Sequence, residues 1–261
     1  MNIAFVGKVA VVTGAARGIG RAIAEHMCAG GARVLLVDRD ADGVVRAAQS
    51  IGASDGSNAH CLVADLSDPA SINVLAGDIK ASATKVDILV NNAGITIDKL
   101  ALDLTTADWD KVVTVNLSGA FHMAQAALGH MLERGTGRII SVSSIAGEIG
   151  NVGQANYAAS KSGLLGLTKA LARETAFLLA RSGRLTPDTI GLTVNAVAPG
   201  LIATEMLDSV PAAALARLTT QIPCGRLGRP EEVARIVHVL AADASSYITG
   251  QVWSVNGGMD M

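Results

Sequence analysis

Short apolar runs rich in β-branched residues alternate along the chain with longer stretches whose apolar residues recur at helical spacing. The runs "VAVVTG", "ARVLLVD", "AHCLVADL", "VDILVNNAG", "GRIISVSS", "LTVNAVAPG" and "QVWSVNGG" are bounded by Gly, Asp, Asn or Pro and read as seven strands. Between them, "RGIGRAIAEHMCAG", "DPASINVLAGDIKASA", "TADWDKVVTVNLSGAFHMAQAALGHMLERG", "QANYAASKSGLLGLTKALARETAFLLA" and "RPEEVARIVHVLAAD" read as helices, often opening on a capping residue or Pro. This alternation predicts an α/β protein with a doubly wound parallel sheet of about seven strands and helices on both faces. No repeat, low-complexity tract or linker interrupts it, so residues 1–261 are expected to form a single domain. The segment "ARSGRLTPDTIG", marked by Gly183, Pro187 and Gly191, reads as a loop leading to the amino end of the sixth strand. It is expected at the edge opposite a ligand cleft, shaping the surface or a subunit contact.

Half of the residues are hydrophobic and only 3% are aromatic, so Ala, Val, Ile and Leu must build the core. That suits strands covered on both faces. A chain of this length buries roughly 70–75% of its unfolded surface and needs neither disulfide nor metal to be stable. The formal net charge is −2, with both signs interspersed. That leaves no basic stripe for nucleic acid and no polybasic membrane anchor. The start "IAFVGKVAVVTGA" is broken by Lys8 and lacks a basic leader, so it reads as a first strand rather than a signal peptide. No membrane span is expected either. Cys28, Cys61 and Cys224 are scattered without metal-like spacing, as in reduced thiols of a cytoplasmic protein, and no metal site is expected.

The first strand runs into "TGAARGIG". Gly14, Gly18 and Gly20 fall where a backbone turns sharply, approaches a pyrophosphate and lets a helix pack on the sheet, which makes the sheet Rossmann-type. Arg17 and Ile19 complete the candidate cradle. Asp38, at the end of the second strand, is placed to accept hydrogen bonds from an adenosine ribose and to repel a 2′-phosphate. It therefore favours NAD over NADP, although Arg17 and Arg39 stand nearby.

A second group of residues carries candidate chemistry. Of only two tyrosines, Tyr157 has Lys161 four positions later in "QANYAASKSG", on one face of a helix. Ser143 and Ser144 end the fifth strand, and Asn116 sits in an otherwise apolar helix. In order, TGxxxGxG, NNAG, Asn116, Ser144, YxxxK and PG resemble the short-chain dehydrogenase/reductase family in its compact single-domain branch, from about Val9 to Met259. "NNAGITIDKL", "GNVGQANYAASKSGL", "GRLGRPEEVA" and "YITGQVWSVNGGM" are most similar to its 3-oxoacyl-ACP reductase group.

The resemblance implies that Tyr157 is the general acid/base, Lys161 the neighbour that lowers its pKa, Ser144 the hydroxyl that orients a carbonyl, and Asn116 the support of a water relay. It further implies that Asp65 and Leu66 meet adenine, and that Asn92 and Gly94 lie beside the nicotinamide ribose. Pro199, Gly200, Ile202 and Thr204 would hold the carboxamide. A homotetramer is implied as well. Where the reductase group carries arginines for its acidic carrier partner, this chain has Gly135 and Leu178, with Arg134 and Arg181 as neighbours. The expected function is NAD(H)-dependent hydride transfer with a 3-oxoacyl thioester. The alternatives are a catabolic dehydrogenase of a cyclic or aromatic secondary alcohol, and a dinucleotide-binding sensor without chemistry. The segment "LIATEMLDSVPAAALARL" is expected to cover the substrate as an apolar loop.

Overall fold

The computed structural model describes residues 4–55, 58–83, 85–186, 188–208 and 210–261, so Pro187 lies outside the described residues. Seven strands, β1 (Val9–Thr13), β2 (Arg33–Asp38), β3 (Ala59–Val63), β4 (Ile88–Asn91), β5 (Gly137–Val142), β6 (Leu192–Pro199) and β7 (Val252–Val255), form one sheet in the order β3-β2-β1-β4-β5-β6-β7. All six pairings are parallel. Successive residues of a strand face opposite sides. Ala10, Val12, Val34 and Leu36 therefore enter one core layer, and Val9, Val11, Leu35 and Val37 enter the other. Helices α1 (Gly18–Ala29), α2 (Ala41–Asp55) and α9 (Pro230–Ala241) cover the first layer. Helices α3 (Pro69–Ser82), α5 (Gly119–Arg134) and α7 (Ala155–Arg181) cover the second.

The single long helix expected over residues 106–135 is instead α4 (Thr106–Val113), a π turn (Thr114–Ser118) and α5. Asn116 lies in the π turn and is buried. Helix α2 had no counterpart in the sequence pattern. Its buried stripe of Val44, Ala47, Ala48 and Ile51 has helical spacing, but half of it is Ala and offers little contrast. The expected apolar cover loop contains a 3₁₀ turn (Glu205–Leu207) and α8 (Ala212–Thr219), none of whose residues is buried. Its Ala-rich sequence after Pro211 forms a helix from local propensity rather than from packing. A short α6 (Ala146–Ile149) links β5 to α7.

The described part of "ARSGRLTPDTIG" lies at the amino edge of the sheet. Gly137 N donates to Gly191 O, and the buried Arg138 also donates to Gly191 O, at 2.9 Å. Arg134 is bound at the same edge, donating to Val86 O at 2.8 Å and pairing with Asp87 at 3.1 Å. The α1–α9 contact encloses His26 and His238 (ring centroids 6.2 Å apart), with Phe5 against His238. Among the described residues no helix is long and apolar enough to cross a membrane.

Candidate active site

At the carboxyl end of β1 the chain turns into α1 with no room for a side chain at Gly14 or Gly20. Gly14 has φ +65°, and a Cβ there would stand 2.8 Å from Ala93 Cα. A Cβ on Gly20 would run into the carbonyl oxygen of Gly14. The turn is bolted to β4 from outside. Asn92 Nδ2 donates to Thr13 O at 3.0 Å and Gly14 O at 3.1 Å, while Thr13 Oγ1 accepts from Asn92 N and Ala93 N. This joint lies where the strand order reverses, at the crevice in which open α/β sheets bind ligands. Helix α1 opens there with no acidic residue in its first turn, and Thr204 lies over its start, with Cγ2 at 3.4 Å from a Cβ built on Gly18. A glycine-rich turn at a helix N-terminus fits a dinucleotide's pyrophosphate.

Asp38, at the end of β2, holds the rim of this cradle. Its carboxylate accepts from Ala16 N and from Asp40 N, each at 3.0 Å. After β3, the Asp65 carboxylate accepts from Ser67 N (2.8 Å) and Ser67 Oγ (2.7 Å), bonds that hold its pKa below the usual carboxylate range. Leu66 is buried, packed where a Cβ on Gly119 would touch it. Beyond β6, Pro199 O accepts from Ile145 N at 2.9 Å and Gly200 N donates to Val255 O at 3.0 Å. A Cβ on Gly200 would lie 2.8 Å from Asn256 Cα. Ile202 is buried and bridges to Gly228.

The other end of the cleft is built from buried polar side chains. Lys161 is 3% exposed, and its Nζ donates to Val142 O at 2.8 Å and stands 5.6 Å from the centre of the Tyr157 ring. Ser143 Oγ donates to Lys161 O at 2.8 Å. The Ser144 hydroxyl lies beside the Tyr157 phenol, and its Oγ accepts from Ala146 N. A Cβ on Gly94 would come within 3.3 Å of both Lys161 Nζ and Asn116 Oδ1, which puts the NNAG turn against the lysine. Asn116 donates to Ile95 O and to Ser160 Oγ, both at 3.0 Å, and accepts from Ile95 N at 2.8 Å. The π turn holding it interrupts the α-helical ladder, a feature frequent at functional sites.

Burial pulls the Lys161 pKa down to about 8. Burial also raises the Tyr157 pKa, assisted by the negative charge of Asp98 and opposed by the nearby Ser144 hydroxyl. Tyr157 is therefore a protonated acid at neutral pH. A positive charge brought above the phenol would reverse this direction.

The structure brings Gly14, Arg17, Gly18, Ile19, Gly20, Asp38, Asp65, Leu66, Asn92, Gly94, Asn116, Ser144, Tyr157, Lys161, Pro199, Gly200, Ile202 and Thr204 to the carboxyl edge of one sheet. The sequence reading missed the supports: Thr13, Asn156 and Ser160. Asn156 is fully buried and accepts from Tyr157 N at 2.8 Å. The signal available was a polar residue directly before Tyr157 at a helix start. Among the described residues no group of three or more His, Cys, Asp or Glu is arranged to hold a metal.

Comparison with known proteins agrees with this geometry. Residues 14–260 match a family model described as enoyl-(acyl carrier protein) reductase. The chain is 44% identical over 259 residues to the 3-oxoacyl-(acyl-carrier-protein) reductase FabG of Salmonella typhimurium, covering 99% of this chain and 100% of that one. FabG of Aquifex aeolicus is 43% identical over 259 residues, with 99% and 100% covered. A protein from Beutenbergia cavernae, assigned as an NAD(P)-dependent gluconate 5-dehydrogenase and solved with NADP at low occupancy, superposes with TM-score 0.89. It shares 40% identity, with 98% of each chain covered.

Proposed function

The chain belongs to the short-chain dehydrogenase/reductase family, an NAD(P)-dependent oxidoreductase acting on CH–OH groups, and from that premise we propose that it interconverts 3-oxoacyl and 3-hydroxyacyl thioesters with NAD(H). The observation that carries this reading is the meeting of Ser144, Tyr157 and buried Lys161 at the edge that also holds the glycine turn. When bound, the nicotinamide supplies or accepts the hydride. Ser144 donates to the carbonyl oxygen as charge develops there. Tyr157 gives that oxygen a proton in reduction and removes it from the hydroxyl in oxidation. Lys161, with its carbonyl and Nζ both tied to β5 and the residue after it, keeps an ammonium beside the phenol and within reach of a ribose hydroxyl. Asn116 fixes the NNAG turn at Ile95 and supports a water relay to Lys161. The adenine side falls to Asp65 and Leu66, the nicotinamide ribose to Asn92 and Gly94, and the carboxamide to Pro199, Gly200, Ile202 and Thr204.

Asp38 supports NAD over NADP, because its carboxylate is fixed by Ala16 and Asp40 where a 2′-phosphate would have to sit. A coenzyme A ester suits the site better than a carrier-protein ester, since Arg134 is spent on Asp87 and Leu178 is exposed and uncharged. Exposed Phe121 on α5 and Phe177 on α7 support a homotetramer paired through these helices. A second reading, dehydrogenation of a free secondary alcohol, is favoured by the gluconate dehydrogenase assignment of the 40%-identical relative. Initial rates with acetoacetyl-CoA and NADH, set against NADPH and against gluconate with NAD, test both readings. The thioester reading expects kcat/KM at least about tenfold higher with NADH than with NADPH. A ratio below one overturns the cofactor assignment. Turnover of gluconate alone moves the chain to the alcohol reading.

A further inference from the structure

Glu205 opens the 3₁₀ turn that follows β6, on the far side of Thr204 from the cleft residues already described. The chain is pinned just before it. Ala203 N donates to Gly228 O at 2.8 Å, and Ile202 bridges to the same glycine. The turn then closes on itself, with Leu207 N donating to Thr204 O at 2.9 Å and Asp208 N to Glu205 O at 3.2 Å. These bonds fix where the Glu205 side chain starts. Its carboxylate reaches the first residue of α1, where Oε2 stands 3.6 Å from a Cβ built on Gly18.

The start of α1 has no anion of its own. Its N-cap, Arg17, makes no side-chain cap, and its first turn holds no acidic residue. Free N–H groups and the helix dipole leave partial positive charge there, which favours a negative partner. Glu205 supplies one from across the chain. The other direction open to that carboxylate is less favourable. It borders a cavity of about 490 Å³ whose walls also carry Glu25, Asp208 and Glu231. Arg21, on the same walls, is already engaged, donating to Glu25 at 2.9 Å and to Ser50 at 3.2 Å. A dinucleotide's pyrophosphate brings two negative charges to the same helix start. Like charges a few ångströms apart repel. Glu205 is exposed, so it can swing into water when the pyrophosphate arrives.

We infer that Glu205 is a built-in competitor for the pyrophosphate position: its carboxylate serves the start of α1 in the free protein, and a binding dinucleotide must displace it. This role rests on the dinucleotide reading of the glycine turn. It lowers affinity for oxidised and reduced cofactor alike, and so eases their exchange between turnovers. Glu205→Gln keeps the shape and removes the charge. Calorimetric titration at low ionic strength is expected to show NAD and ADP-ribose, which share the pyrophosphate, binding about two- to fivefold more tightly to the variant. The gain is expected to shrink in high salt. Without ligand, the variant's Tm is expected to fall by about 1–3 °C, because α1 loses its counter-charge. Saturating NAD is expected to raise Tm by more than in the wild type. A merely structural role would lower stability and affinity together. Unchanged or weaker NAD binding in folded Glu205→Gln overturns the inference, as does a gain equal at low and high salt. If that variant does not fold, Glu205→Asp, which draws the charge back by one methylene, is expected to tighten NAD binding by less, and no gain there overturns it equally. A wild-type chain that binds neither NAD nor NADP sinks the dinucleotide reading, and this inference with it.

Discussion

The glycine turn and the Tyr157 end of the cleft share one sheet edge but are made by opposite means. At the turn, Gly14 and Gly20 leave no room for a side chain, and Asn92 reaches in to bind the loop to the end of β4. At the other end, buried polar side chains are packed against one another. Ser143, Asn116, Ser160 and Asn156 each satisfy a backbone or hydroxyl partner so that Tyr157 and Lys161 hold their places. The first end fails when anything is added, and the second when anything is removed.

Tyr157→Phe puts that contrast to its hardest test, since it deletes one oxygen and keeps the ring's packing. Its kcat/KM is expected to fall by about 10²–10⁴-fold with NAD affinity and circular dichroism unchanged. Near-normal turnover would mean that the polar network is scaffolding only. Gly20→Ala adds a single methyl at the opposite end, against the Gly14 carbonyl. Overpacking there is expected to cost about 1–3 kcal/mol of stability and to weaken NAD binding, measured by fluorescence titration, by about tenfold or more. Wild-type affinity would show that the turn has slack.

The smallest expected effect lies outside the cleft, in the α1–α9 contact, and sharpens the comparison with a half-buried histidine pair that has no catalytic duty. Burial first, then His238 and Arg235, lower the His26 pKa below its ordinary 6.5. The folded state thus binds fewer protons than the unfolded chain. The stability His26 contributes is complete above pH 6.5 and is lost as pH falls through the lower folded value. Acidification across that window is expected to lower Tm by about 2 °C more in the wild type than in His26→Gln. Equal slopes would show that His26 does not titrate differently on folding.

The same contrast explains what was legible in the sequence. Gly14, Gly18 and Gly20 announce themselves because a backbone requirement writes a residue type at fixed local spacing. The strands were legible because burial on both faces leaves unbroken apolar runs, as in "RVLLVD". Tyr157 and Lys161 were found through local helical spacing and a family motif. Asn156 and Ser160 were not, because their partners are far along the chain: Asn156 with Ile97 and Ser160 with Asn116. A buried Asn or Ser looks in sequence like any other polar residue until its long-range partner is placed. The π turn was invisible for a similar reason, since "TVNLS" obeys the apolar period of the helices on either side.

The strand order carries one more consequence, for how the sheet holds together. Five of the six strand pairings join strands that are consecutive in the chain, and only β1–β4 does not. The amino-terminal part, β1 to β3, and the rest, β4 to β7, are each joined internally by neighbours in the chain. The seam between them is held by contacts such as Val9 N to Asp87 Oδ2, which spans 78 residues. That seam is also the crevice under the glycine turn. A dinucleotide laid across it would tie the two parts of the sheet together, so ligand binding is expected to resist unfolding at that seam.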